Sequence, residues 1–160
     1  MNVQFEGHTS IGKDEWLTPP YITDALGEFD LDPCSPINRP WETARKHYTI
    51  EDDGLTQPWI GRCWCNPPYG NETKKWLAKC VEHGNCIALI FARTETKMFF
   101  NHIWNSADAL LFIKGRLKFC HVNGEQGGSA GAPSVLVAYG KANADVLEKC
   151  DIEGKFIRLK

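Results

Sequence analysis

The chain has 160 residues, of which 42% are hydrophobic and 24% charged, with a formal net charge of −2. That length supports a domain with a real hydrophobic core. The balanced charge excludes a protein that holds nucleic acid by bulk electrostatics alone, so any such contact needs a local basic face. No apolar run reaches the roughly 18 residues of a membrane span, and residues 1–13 are polar, without the apolar stretch of a secretory leader. A loose tail over 1–13, one domain over 14–160 and a cytoplasmic location are expected. Seven cysteines, an odd number with irregular spacing and no C-x-x-C pair, read as free thiols acting as small buried hydrophobes. The paired spacing of a zinc site is missing, and no metal site is expected.

In chain order, Thr18-Pro19-Pro20 opens an amphipathic helix over YITDALGEF, with Ile22, Ala25 and Leu26 on its apolar face. Phe29-Asp30-Leu31-Asp32 alternates and stops at Pro33, which predicts a short strand delivering Asp32 at its carboxyl end. Residues 36–60 read as loop, with a short element near 44–50 and a turn at Asp53-Gly54. A strand is expected over IGRCWCNPP, then a helix over 71–84 capped by Asn71, with Trp76, Leu77, Cys80 and Val81 on one face and Gly84 as its stop. CIALIFAR suits a strand buried on both faces. A second helix follows over 94–107, with Met98, Phe99, Ile103 and Trp104 inward. The run 107–122 predicts a strand bending at Gly115, and a glycine-rich loop separates it from the strand SVLVAYG. Two strands joined without a helix should pair antiparallel, and the tail should cover a sheet edge. The sum is an open α/β sheet, mostly parallel, with a reversed strand. Ligands in such sheets sit outside the carboxyl ends of the strands, where Asp32 and Asn66 both fall.

Asn66-Pro67-Pro68-Tyr69 is the strongest motif. Two prolines cannot sit inside a helix or a central strand. An exocyclic aromatic amine is a poor nucleophile because its lone pair is delocalised. Two acceptors on its hydrogens, the Asn66 side-chain oxygen and the Pro67 carbonyl, favour a more pyramidal nitrogen, and Tyr69 offers a flat face to the base. Asp32-Pro33-Cys34-Ser35 supplies a carboxylate for a ribose hydroxyl or an ammonium, and backbone donors for an anion; the alternative is an ordinary strand-ending turn. Asp53 and Leu55 could hold the adenine of a cofactor, or form a surface turn. Thr18 and Pro19 could approach the cofactor's amino-acid end, or cap a helix. Arg93, Thr94 and Lys97 after the buried strand, with Arg116, Lys118 and the glycine-rich loop 124–131, are the candidates for nucleic-acid contact. Lys74, Lys75 and Lys79 fit a solvated helix face better.

Taken together, Trp16-x-Thr18-Pro19, Phe29-Asp30-Leu31-Asp32-Pro33, Asp53-Gly54-Leu55 and Asn66-Pro67-Pro68-Tyr69 occur in one order over roughly residues 14 to 140. This resembles the phage-type DNA N6-adenine methyltransferase (Dam) family. The resemblance implies a compact Rossmann-like S-adenosylmethionine-dependent methyltransferase fold and methyl transfer to the N6 amine of adenine in double-stranded DNA. It implies Asn66, Pro67, Pro68 and Tyr69 as the catalytic motif, with Asp32 to Ser35 in the cofactor loop. A glycine-rich F-x-G-x-G loop is absent, the segment 36–60 is short for the half-sheet it must build, and no separate target-recognition domain is expected. The partner is then duplex DNA, with the chain a monomer or a homodimer, in the host cytoplasm if phage-encoded. RNA or a protein glutamine as acceptor, and an inactive nucleotide-binding relative, stand as the alternatives.

Overall fold

A computed structural model describes residues 16–160; the expected tail over 1–13 lies outside the described residues. Helix α1 (Pro20–Leu26) leads into β1 (Leu31–Asp32), β2 (Lys46–His47) and β3 (Cys63–Cys65). Then come α2 (Thr73–His83), β4 (Cys86–Phe91), α3 (Lys97–Phe99) and a π-helical segment (Phe100–Trp104). The chain finishes with β5 (Ala109–Ile113), β6 (Lys118–Cys120), β7 (Gln126–Ser129), β8 (Ser134–Tyr139), α4 (Lys141–Lys149) and β9 (Gly154–Arg158). Seven strands form one sheet in the order β2-β1-β3-β4-β8-β5-β9, and β6 and β7 pair separately. Strands β1 to β4 are mutually parallel, and β8 inserts antiparallel between β4 and β5. The expected reversed pairing is therefore present, and β9 adds a second reversed strand along the β5 edge. No helix among the described residues is long and apolar enough to cross a membrane.

Alternation along the strands sorts the core into two layers. Trp64, Ile87, Leu89, Leu111 and Leu136 pack on one face with Ile22 and Leu26 of α1 and Leu147 of α4. Cys63, Cys65, Cys86, Ile90 and Val137 pack on the other with Trp76, Leu77 and Cys80 of α2 and Phe99 and Ile103. Every residue of β4 and β8 is buried, as a strand covered on both faces requires. The cysteines at 63, 65, 80 and 86 sit inside this second layer as small apolar groups.

Several local expectations are corrected. Helix α2 starts after Glu72, not at an Asn71 cap, and Val81 is exposed. The second helix is short and loosens into the π-helical turn, where the Asn105 N–H reaches back to the Phe100 carbonyl at 3.3 Å. Phe99 and Ile103 are buried as expected, while Met98 and Trp104 are half-buried. The strand expected over 107–122 breaks at Gly115, whose φ of 76° is a left-handed turn that favours glycine. The glycine-rich stretch is no open loop: β6 and β7 form a hairpin, tied to the chain start by paired Leu17–Cys120 backbone bonds of 2.8 and 2.9 Å.

The short half of the sheet, over 33–62, contains no helix, only β2 and turns. It is held by direct contact instead. The Ser35 N–H donates to the Tyr48 carbonyl at 2.9 Å, the Tyr48 N–H to the Asp32 carbonyl at 2.9 Å, and the Trp59 indole to the Gly54 carbonyl at 2.9 Å. Gly54 lies so close under the β1 loop that a Cβ there would meet the Pro33 carbonyl oxygen at 2.0 Å. Gly54→Ala should lower the unfolding free energy by about 1–3 kcal/mol, measured by urea denaturation. An unchanged midpoint would show that this loop does not rest on the turn.

Candidate active site

Strand β3 ends at Cys65, and the two prolines after Asn66 prevent the ladder from continuing. The corner is locked from several directions. The Asn66 amide nitrogen donates to Thr18 Oγ1 at 3.2 Å. The Tyr69 hydroxyl donates to the Leu89 carbonyl of β4 at 2.9 Å and approaches Asn66 Oδ1 at 3.3 Å. Thr73 Oγ1 donates to the Pro68 carbonyl at 2.7 Å and accepts from the Gly70 N–H at 2.9 Å, closing the turn into α2. The Pro67 carbonyl makes no hydrogen bond among the described residues, while Asn66 and Pro67 are both buried. The Tyr69 ring packs on Phe91 at 4.4 Å between centroids, with 52° between planes. Burial holds the Tyr69 phenol well above its ordinary pKa, so it stays a donor.

Beside the corner lies a narrow crevice, lined among others by Thr18, Asp32, Cys34, Ser35, Arg39 and Asn66. Five residues predicted for cofactor contact thus share one wall. Pro19 and Pro33, both buried, are their chain neighbours. Thr18 caps no helix: α1 has no side-chain cap, and Thr18 turns to Asn66 instead. Asp53 and Leu55 do not line the crevice. Asp53 is exposed with a φ of 58°, and Leu55 packs against the core layer around Trp76. Their turn supports the Asp32 loop from below through Gly54.

Asp32 is 4% exposed. One carboxylate oxygen accepts from the Cys34 N–H at 3.1 Å and the other from the Thr43 hydroxyl. Burial raises its pKa to about 6, and the bonds from Thr43 and Cys34 and the charge of Arg39 restrain the rise. Thr43 in turn donates its backbone N–H to His47 Nε2 at 3.3 Å. Arg39 and Thr43 were missed in the sequence because they sit in the stretch 36–60 that carries no periodicity. The one available signal was a hydroxyl and a cation in a loop that must return to pair beside Asp32.

The basic candidates divide into two groups. Arg93 and Lys97 are exposed where the chain leaves β4, and the Arg93 guanidinium lies 5.8 Å from the Phe91 ring that touches Tyr69. Thr94 is half-buried, and its carbonyl accepts from the Trp104 indole at 3.0 Å. Arg116 and Lys118 are exposed at the root of the hairpin, with an Arg116 N–H on the Ala130 carbonyl at 3.2 Å. Trp16 joins the crevice to the hairpin: it lines the crevice, packs tilted on His121 with ring centroids 4.6 Å apart and lies against Gly127 of β7. Of the lysines on α2, Lys74 is exposed and Lys75 pairs with Glu72 at 3.3 Å. Lys79 is not a solvated charge, for it donates to the Leu55 and Gln57 carbonyls at 2.9 Å each. No group of three His, Cys, Asp or Glu side chains among the described residues is placed to hold a metal ion.

The raised pKa of Asp32 has a consequence for stability. The fold binds the Asp32 proton more tightly than the unfolded chain does, so a cost grows as pH rises from about 4 to about 6 and persists above that, at about 3 kcal/mol. Asp32→Asn removes this cost. Its unfolding free energy relative to the native chain should climb by about 2 kcal/mol between pH 4.5 and 7, as read from denaturant titrations at those two values. A difference that stays constant with pH would contradict the burial of an ionisable carboxyl here.

Comparison with curated proteins and with solved structures gives no match. A family model described as DNA N-6-adenine-methyltransferase (Dam) matches residues 8–146, nearly the whole chain, including the corner, the crevice and the hairpin. The chain belongs to the Dam family of DNA N6-adenine methyltransferases.

Proposed function

We propose that this chain carries out the reaction of its family, S-adenosylmethionine-dependent methylation of the N6 amine of adenine in duplex DNA, at the Asn66–Tyr69 corner. One observation carries the reading: Asn66 is at once a wall of the crevice and a partner of Tyr69. A small molecule in the crevice and a base beside the corner would therefore meet at one side chain.

The donor set suits the cofactor. S-adenosylmethionine supplies an electrophilic methyl on a sulfonium, and it presents ribose hydroxyls and an ammonium that need acceptors. Asp32 is a buried carboxylate with a lone pair to spare on each oxygen, Ser35 and Thr18 add hydroxyls, and the loop at Cys34 adds backbone groups. Asp53 and Leu55, which do not line the crevice here, would act on the adenine end only if their turn moved with the loop above it.

The target adenine must leave the duplex, because its amine is otherwise stacked and paired. The Asn66 oxygen and the Pro67 carbonyl then accept the two amine hydrogens. Asn66 Oδ1 retains a second lone pair beyond its contact with Tyr69. The prolines fix the Pro67 carbonyl outside any ladder, so no reorganisation is required when charge develops on the nitrogen. Tyr69, anchored by its hydroxyl to Leu89, presents its half-exposed ring to the base. Arg93, Thr94 and Lys97 beside the corner, with Arg116 and Lys118 at the hairpin, contact the phosphates around the displaced nucleotide. Such contacts position the duplex without reading its sequence.

Labelled cofactor should transfer methyl to an unmethylated duplex and not to RNA or a glutamine-bearing protein, with N6-methyladenine recovered on digestion. Asn66→Ala should lower kcat by about 10²–10³. Tyr69→Ala should weaken productive base binding by about 1–3 kcal/mol, while Tyr69→Phe, which keeps the ring but loses the anchor to Leu89, should lose less. Label on RNA or protein alone, or full turnover in Asn66→Ala, would overturn the assignment.

The pH dependence follows from Asp32, whose acceptor role needs the ionised form. Affinity for S-adenosylmethionine measured by calorimetry should be flat above about pH 7 and fall about tenfold per unit well below the pKa of about 6. In Asp32→Asn it should be weaker and flat throughout. Wild-type affinity that is level from pH 5 to 8 would remove Asp32 from the cofactor site.

A further inference from the structure

Arg39 is the one cation among the residues lining the crevice, and nothing in the family motifs points to it. Its side chain is only 20% exposed, an unusual state for an arginine whose one ion-pair contact, with Glu42, is as long as 4.0 Å. One terminal nitrogen, Nη1, donates to carbonyls of its own loop, to Pro36 at 2.9 Å and to Ile37 at 3.4 Å. The Nε–H is buried and makes no hydrogen bond, and the nearest carboxylate, that of Glu42, stands 4.0 Å away on a side chain that is 70% exposed. A buried guanidinium N–H left without an acceptor is costly, and the planar fork is built to take both oxygens of a carboxylate.

Arg39 and Asp32 face the same crevice, close enough for the cation to lower the Asp32 pKa, yet no salt bridge joins them among the described residues. An anion and a cation held apart across one cleft complement a zwitterion. Resting on the cofactor reading above, we propose that Arg39 binds the carboxylate of the amino-acid end of S-adenosylmethionine, and so makes the site selective for a nucleoside sulfonium that carries an intact amino acid. The loop 36–43 is then the cofactor clamp, with Arg39 anchored by Pro36 and Ile37 at its base and its Nε edge turned to the ligand.

Calorimetric binding of S-adenosylmethionine and of its decarboxylated analogue to the full chain, with Arg39→Ala and Arg39→Lys, tests this. The native chain should favour S-adenosylmethionine by roughly ten- to a hundredfold. Arg39→Ala should abolish most of that preference while changing affinity for the decarboxylated analogue by less than about threefold. Arg39→Lys should recover part of it, because it restores charge without the fork. A preference that survives in Arg39→Ala, or an equal weakening of both ligands, overturns the assignment and leaves Arg39 a structural residue of its loop. If instead the native chain binds neither ligand, the cofactor reading itself fails and Arg39 falls with it. Thermal unfolding of each variant separates loss of the loop from loss of the contact.

Discussion

A buried strand that is forbidden to continue is the constraint on which this site depends. Strand β3 is covered on both faces, so its backbone groups must be paired until it stops. Two prolines stop it at once, at the carboxyl edge of a parallel sheet where the chain is still surrounded by protein. The corner that follows is tied down by side chains. The Asn66 side-chain amide donates to Thr18, the Tyr69 hydroxyl reaches back to the Leu89 carbonyl of β4, and Thr73 at the start of α2 donates to the Pro68 carbonyl. Contacts from before α1, from β4 and from α2 thus converge on the turn that carries Asn66 and Pro67. Rigidity of this kind is what electrostatic catalysis requires, since dipoles that must first reorient give back much of what they stabilise.

The second theme is charge kept under cover. Asp32 and Arg39 are both withdrawn from water, on a half-sheet that lacks helices and rests on a few close backbone contacts. Burial makes Asp32 costly to ionise, and the bonds from Cys34 and Thr43 offset part of that cost. The same loop touches the hairpin, because Gly124 approaches Pro40 and Trp41, and the chain start pairs with β6. The crevice and the basic hairpin are therefore parts of one connected structure, through Trp16 on one side and the loop 36–43 on the other.

Much of this was legible in the sequence, for physical reasons that differ by element. The apolar run of β4 and the stop of α2 at Gly84 follow from burial and left-handed caps, which are local signals. The strand end at Asp32 and the corner at Asn66 follow from proline, the most rigid signal in the alphabet. What failed depended on partners far away. Asn71 looked like a cap, but Thr73 closes the turn because the Pro68 carbonyl is there to receive it. The stretch GEQGGS looked like a flexible loop, yet forms a strand because Gly127 lets the backbone pass close to Trp16 and Phe119. Arg39 and Thr43 carried no periodic pattern, since a loop residue gains its role mainly from what it folds against. Lys79 looked solvated and instead ties the turn at Leu55 to α2, a contact that no helical wheel contains.

The most direct measurement of the central claim is a crystal structure of the chain with a duplex containing one unmethylated target adenine and a non-reactive cofactor analogue. The account predicts the adenine outside the helix, its ring against Tyr69, its amine within hydrogen-bond distance of both Asn66 Oδ1 and the Pro67 carbonyl, and the analogue in the crevice beside Asp32. An extrahelical adenine bound elsewhere, or an analogue seated away from Asn66, would contradict it.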